Sequence, residues 1–141
     1  MGYIREIEIA AAPQRVWTSL TSTDEVTRWL APRAQVDATP GGAYELFWDE
    51  NSCARGRVSS IAPGEQLVVD WDLSGKFRTE HGSVRIGVRD NREGSVVTVE
   101  DPSPHRPSYD EQVAEAWEQA LLNLKGWLEE ASPADRWPDL G

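Results

Sequence analysis

The chain begins with a segment in which apolar and charged residues alternate. Between Tyr3 and Ile9, the apolar residues Ile7 and Ile9 fall on one face, while Glu6 and Glu8 fall on the other. A period of two is typical of a strand with one buried face. The sequence therefore predicts that this segment is a half-buried strand.

Two short helices are predicted after this strand. Pro13 suits the first turn of the first helix, whose apolar stripe is Val16, Trp17 and Leu20. Residues 22–25 have the sequence of a capping box and are expected to open the second helix, in which Val26, Trp29 and Leu30 point inward. Pro32 is expected to end it.

Five further segments with strand-like alternation follow, separated by short turns rich in glycine and proline. They are 43–48, 55–61, 66–72, 83–89 and 95–101. Closely spaced strands of this kind favour an antiparallel sheet, here of about six strands in total.

The last part of the chain predicts one long amphipathic helix. A second capping-box pattern at 108–111 opens it, and its apolar residues fall within an arc of roughly 120°. We expect the helix to run to about Ala131, where Ser132 and Pro133 would end it. Residues 133–141 would then form a short tail.

The order of these elements is accompanied by several short motifs. They are Ile7-x-Ile9 leading to Ala12-Pro13-x-Arg15-Val16-Trp17, then Arg28-Trp29-Leu30, Gly41-Gly42, Val58-x-x-Ile61-x-Pro63-Gly64-Glu65-x-Leu67, and Ala116-Trp117-x-x-Ala120-Leu121-x-x-Leu124-Lys125-x-Trp127-Leu128-Glu129. The ordered set resembles the START/Bet v 1-like (SRPBCC) superfamily, and within it the bacterial single-domain branch similar to the activator of Hsp90 ATPase.

This resemblance implies an α+β helix-grip fold over one domain, residues 1–141. In that fold a curved antiparallel sheet wraps around the long C-terminal helix, with two short helices after the first strand and a cavity between sheet and helix. The resemblance implies few shared functional residues, so the chemistry has to be inferred from this chain.

Charge and composition exclude several classes of function. The chain carries 14 basic and 24 acidic residues, a net charge of −10, which argues against a surface for nucleic acid or anionic membranes. One cysteine cannot form an internal disulfide. The chain shows no secretory signal and no apolar run of ~18 residues, so we expect a cytoplasmic protein that does not enter a membrane.

The inward faces of the predicted strands and helix are the candidate lining of a ligand cavity. The candidates are Tyr44, Leu46, Trp48, Leu67, Val69, Trp71, Val84, Ile86, Val97, Asp101, Trp117 and Leu121. The alternative is that they fill an ordinary core, because apolar periodicity by itself reports burial. The hydroxyl of Tyr44 and the indole groups of Trp48 and Trp71 are the best candidates for polar contacts to a ligand.

The seven tryptophans have different expected roles. We expect Trp17, Trp29 and Trp117 to hold the helices in place, Trp127 to cover an edge of the sheet, and Trp137 to lie in the tail.

The remaining candidates for catalysis or metal binding are one aspartate, two histidines and one cysteine. Asp101 shares its strand face with Val97 and could lie near the cavity mouth, but a solvated strand end is the expected outcome, because carboxylates are seldom buried unpaired. His81 and His105 have no second ligand at metal spacing, and Cys53 has no catalytic partner nearby. We therefore expect no metal, no cofactor and no defined catalytic set.

Three functions are compatible with these observations. The first is binding of a small apolar or aromatic molecule. The second is a co-chaperone or stress-response interaction module of the Hsp90-activator kind, with a chaperone partner. The third is a cyclase- or hydrolase-type enzyme that uses polar cavity groups such as Tyr44 and Asp101. The sequence does not decide whether the chain forms a homodimer.

Overall fold

The computed structural model of the protein describes residues 3–74, 80–101 and 107–136. His105 and Trp137 lie outside the described residues. The elements, in chain order, are β1 Tyr3–Ile9, α1 Pro13–Thr21, α2 Thr23–Trp29, β2 Arg33–Val36, β3 Ala43–Phe47, β4 Cys53–Ala62, β5 Gln66–Ser74, β6 Glu80–Asn91, β7 Gly94–Asp101 and α3 Pro107–Arg136.

The sheet is antiparallel throughout and curls into a half-barrel. Among the described residues it has seven strands in the order β1-β7-β6-β5-β4-β3-β2. The two short helices follow β1 and the long helix is last, so the predicted helix-grip arrangement is confirmed.

The predicted count of about six strands is one too low. The missed strand is β2, which has only four residues and pairs with β3 at the edge of the sheet. Its residues alternate between exposed and half-buried, so it lacks the buried apolar face that a periodicity argument detects.

One predicted helix boundary is wrong. The long helix α3 continues through Pro133 to Arg136, beyond the predicted end at Ala131. A proline removes one backbone hydrogen bond from a helix but does not have to end it. The start of α2 is as predicted, with Ser22 at the N-cap position, but the Ser22 side chain makes no cap hydrogen bond. The neighbouring Thr23 hydroxyl accepts a hydrogen bond from the Val36 backbone N–H at 2.9 Å.

The tryptophans of α1 and α2 hold the short helices together as expected. Trp29 is buried, and its indole N–H donates to the Ser19 carbonyl at 2.9 Å. Trp17 and Trp127 are half-buried against the core. The Arg15 guanidinium lies 5.1 Å from the centre of the Trp127 ring, so a cation–π contact joins α1 to α3.

One inward row of the sheet alternates aromatic residues with glycines. Across β3 to β6, the directly opposite residues are Tyr44, Gly56, Trp71 and Gly82. The glycines have no side chain, so the large Trp71 side chain has room on both sides. A Cβ atom built at Gly56 would lie 2.1 Å from the Asp70 carbonyl oxygen and 2.5 Å from the Trp71 Cβ.

A polar cluster fastens α3 to the turn between β1 and α1. The Lys125 ammonium donates to the Glu8 carbonyl at 2.8 Å and to the Glu129 carboxylate at 2.7 Å. The same carboxylate accepts a hydrogen bond from the Ala10 backbone N–H at 3.0 Å. The hydrogen bond from Lys125 is the main reason why the pKa of Glu129 lies below its ordinary value.

The close approach at Gly56 generates a first prediction. Gly56→Ala should lower the free energy of unfolding by about 1–3 kcal/mol, because the new methyl group meets backbone atoms that cannot move aside. The matched control is Gly126→Ala, since nothing lies within 4 Å of a Cβ at that helical position. It should raise stability by about 0.5–1 kcal/mol. Urea unfolding measures both, and a neutral Gly56→Ala would contradict the packing described here.

The Glu129 cluster generates a second prediction. Glu129→Gln should lower the free energy of unfolding by about 0.5–1 kcal/mol at neutral pH, because it removes a charged hydrogen-bond acceptor. Since folding lowers the pKa of Glu129, the wild-type advantage is complete above the ordinary value of 4.5. It disappears as the pH falls through the lowered pKa.

Urea unfolding across this pH range is the measurement for Glu129. Glu115→Gln, which removes a carboxylate from an exposed position of the same helix, is the control and should change stability little. A loss in Glu129→Gln that does not diminish with acid would contradict the assignment.

Candidate functional site

Three aromatic rings join the concave face of the sheet to α3. The Trp71 ring on β5 lies 6.5 Å from the Trp117 ring on α3, and their planes are inclined by only 21°. The Tyr44 ring on β3 lies 6.2 Å from Trp71 at a tilt of 53°. All three side chains are buried, so they form a continuous aromatic layer between sheet and helix.

The indole N–H of Trp71 is buried in this layer and has no acceptor among the described residues. Trp71 is only 5% exposed, and its Nε1 atom is buried. A buried donor without a partner costs about 1–3 kcal/mol relative to a hydrogen-bonded one. Native structures seldom leave such a group unsatisfied, so it marks a position where an acceptor would be stabilised.

The hydroxyl of Tyr44 has a different status. It donates to the Leu20 carbonyl at 3.0 Å and is completely buried. Burial disfavours the phenolate and raises the pKa of Tyr44 well above its ordinary value. Its proton is therefore held in a structural hydrogen bond, which makes Tyr44 poorly suited to proton transfer near neutral pH.

Most of the remaining predicted lining residues occupy the same inward surface. Buried with the three aromatic residues in one apolar cluster are Leu46, Leu67, Val69, Val84, Ile86, Val97 and Leu121. The structure thus brings the predicted set together, while contact with a ligand stays a prediction for each of them.

Asp101 is also part of this inward surface. It lies at the end of β7, opposite Tyr3 on β1, and is only 3% exposed. The expectation of a solvated strand end is therefore wrong.

Trp48 lies apart from the buried layer, at an open pocket. It is half-buried just beyond the end of β3, and its indole N–H donates to the Leu30 carbonyl at 3.0 Å. The pocket has a volume of about 440 Å³ and lies between the end of α2, Trp48 and one face of α3. We call it the α2–α3 pocket; its described lining is Thr27, Arg28, Trp29, Leu30, Ala31, Pro32, Trp48, Ala116, Gln119, Ala120 and Asn123.

Sequence reasoning missed most of this pocket. Ala116, Gln119, Ala120 and Asn123 are spaced i, i+3, i+4 and i+7, so they share one face of α3. That face is small and polar rather than strongly apolar, and the stripe through Trp117 and Leu121 dominates the periodicity. On this face each alanine is followed three residues later by an amide residue. This pattern beside the apolar stripe was the available signal for a cleft.

The described ranges offer little support for a metal site or a membrane-spanning helix. No group of three or more histidine, cysteine or acidic side chains in residues 3–74, 80–101 and 107–136 could hold a metal ion. Cys53 is half-buried on β4. In the part of the chain that the structure describes, no helix is both long enough and apolar enough to cross a membrane.

Known structures share this fold at low sequence identity. The crystal structure of MLL2253 from Mesorhizobium loti matches with a TM-score of 0.82 and 18% identity, over 92% of this chain and 98% of that one. The solution structure of the Aha1 dimer from Colwellia psychrerythraea matches with a TM-score of 0.78 and 16% identity, over 92% and 96%.

A further match is DynU16, described as a protein in the dynemicin biosynthetic locus. Its TM-score is 0.80 at 20% identity, and the match covers 91% of this chain but 47% of DynU16. No curated protein shows significant sequence similarity to the chain. The family model described as activator of Hsp90 ATPase homolog 1-like protein matches residues 10–129. Because this match spans most of the sequence and agrees with the fold, the chain belongs to the activator of Hsp90 ATPase homolog 1-like family.

Proposed function

We propose that the protein binds a small apolar or aromatic molecule between the concave sheet and α3. The observation that carries this proposal is the buried indole N–H of Trp71, which has no acceptor among the described residues and lies in an aromatic layer. Ligand sites are mostly apolar with a few polar groups that fix orientation, and this surface has that composition.

The layer also restricts the chemistry of the ligand. Trp71 can only donate a hydrogen bond, so the ligand needs an acceptor such as a carbonyl or ether oxygen. The faces of Trp71 and Trp117 favour a flat or aromatic body over a branched one. An aromatic ketone meets both requirements.

The third prediction tests the role of Trp71 with prodan, a naphthalene ketone whose emission responds to its surroundings. Prodan should bind the wild type with a shift of its emission to shorter wavelength. Trp71→Phe should weaken binding about 5- to 10-fold, because it removes one buried hydrogen bond worth about 1–1.5 kcal/mol and keeps an aromatic ring. Trp17→Phe, on the half-buried face of α1, is the control and should bind as the wild type does.

A spectroscopic readout on the wild type complements the affinity of the variant. In the ¹⁵N spectrum of the wild type, the indole N–H signal that is missing from Trp71→Phe should move downfield on addition of prodan. Equal affinities for wild type, Trp71→Phe and Trp17→Phe, with a stationary Trp71 signal, would overturn the proposal.

A co-chaperone role is the second candidate, and the family description favours it. The net charge of −10 would suit a basic docking surface on a partner. The direct experiment adds the protein to a purified bacterial Hsp90 and measures ATP hydrolysis. Stimulation that depends on protein concentration would support this candidate, whereas an unchanged rate and no complex on a sizing column would count against it.

A further inference from the structure

We propose that the α2–α3 pocket selects ligands that carry a carboxylate or similar anionic group on an aromatic body, and that Arg28 is the residue that selects them. This inference goes beyond the proposed function, because it concerns a second pocket and the class of ligand that this pocket takes. It is carried by the position of one cation at the rim of a largely apolar pocket.

The volume and the lining of the pocket suit an aromatic ligand. Its volume of about 440 Å³ lies within the range of about 300–1,000 Å³ that small-molecule sites occupy. Trp29 and Trp48 provide aromatic surface on the side of α2 and β3, while Ala116 and Ala120 keep the facing side of α3 short. Trp117, which stacks on Trp71, follows Ala116 on α3 but is not among the described lining residues of the pocket.

The charged lining residue of this pocket is basic, whereas the chain as a whole is acidic. Arg28 is the only charged residue among its described lining residues, although the chain as a whole has a net charge of −10. The guanidinium is exposed, and it forms no ion pair with the described residues. Guanidinium groups bind carboxylates through two parallel hydrogen bonds, so Arg28 is available for an anionic ligand group.

The α3 side of the pocket offers neutral polar groups. The Gln119 amide donates to the Asn123 side-chain oxygen at 3.0 Å, and the Asn123 amide contacts the Trp29 carbonyl at 3.5 Å. These contacts give the α3 side of the pocket two amide side chains and no negative charge. Because the net charge of the protein repels anions at long range, any preference for an anion has to come from this local contact.

The fourth prediction compares two probes of nearly the same shape, naphthalene-2-carboxylate and naphthalene-2-carboxamide, by calorimetric titration. The wild type should bind the carboxylate about 5- to 10-fold more tightly than the amide, as expected for one charge-assisted contact at a partly exposed site. Arg28→Gln should remove this preference while leaving the affinity for the amide unchanged. Arg28→Lys should keep part of it, and added salt should reduce it in the wild type.

Two controls locate the effect. Arg92→Gln removes an equally exposed arginine from the turn between β6 and β7, and it should keep the wild-type preference. The indole N–H signal of Trp48, identified with Trp48→Phe, should move when either probe binds to the wild type.

The outcomes separate this inference from the proposed function. Equal binding of both probes by the wild type, or an undiminished preference in Arg28→Gln, overturns the role of Arg28 and leaves ligand binding intact. A stationary Trp48 signal during binding overturns the choice of pocket. Failure of both naphthalene probes and of prodan to bind overturns the inference together with the proposed function.

Discussion

The stacking of Trp71 on Trp117 is the contact on which the arrangement of sheet and helix depends. One ring comes from the middle of the sheet and the other from α3, with their centres 6.5 Å apart. The contact forms because Gly56 and Gly82 leave room on both sides of Trp71, so its large side chain can rise from the concave face. Buried in the same apolar cluster as these two rings are Leu46, Leu67, Val69 and Leu121.

The aromatic residues at this contact also explain why the candidate polar groups for a ligand lie between the sheet and α3. A core of aliphatic side chains alone would bury no side-chain hydrogen-bond donors, whereas each indole buries one N–H donor. Trp29 and Trp48 satisfy their donors with nearby carbonyl groups, and Tyr44 does the same through the Leu20 carbonyl. The indole N–H of Trp71 is buried on the inward side of the sheet, where the described residues offer no acceptor. The same aromatic residues therefore serve the packing of the fold and the orientation of a ligand.

Much of the fold could be predicted because local patterns and burial agree along most of the chain. Ile7 and Ile9 on β1, and the stripe through Trp117 and Leu121 on α3, face the core as their periodicity predicts. Prediction failed where a local signal competes with tertiary contacts. Ser22 has the sequence of a helix cap, yet no side-chain cap forms there, and the adjacent Thr23 hydroxyl binds the backbone of Val36. Strand β2 exists because β3 offers an edge to pair with, and four residues carry too little pattern to reveal it.

The sequence by itself determined the succession of strands and helices, the inward set of apolar residues and the acidic character of the chain, because these follow from the order and chemistry of neighbouring residues. Only the tertiary structure decided which polar groups meet. It placed the Trp71 donor in an aromatic layer and Asp101 in a buried position, and it placed Arg28 at a pocket between α2 and α3. The physical reason is that hydrogen-bond partners and pockets depend on distances between residues far apart in the chain. Those distances are set by how the sheet curls around α3.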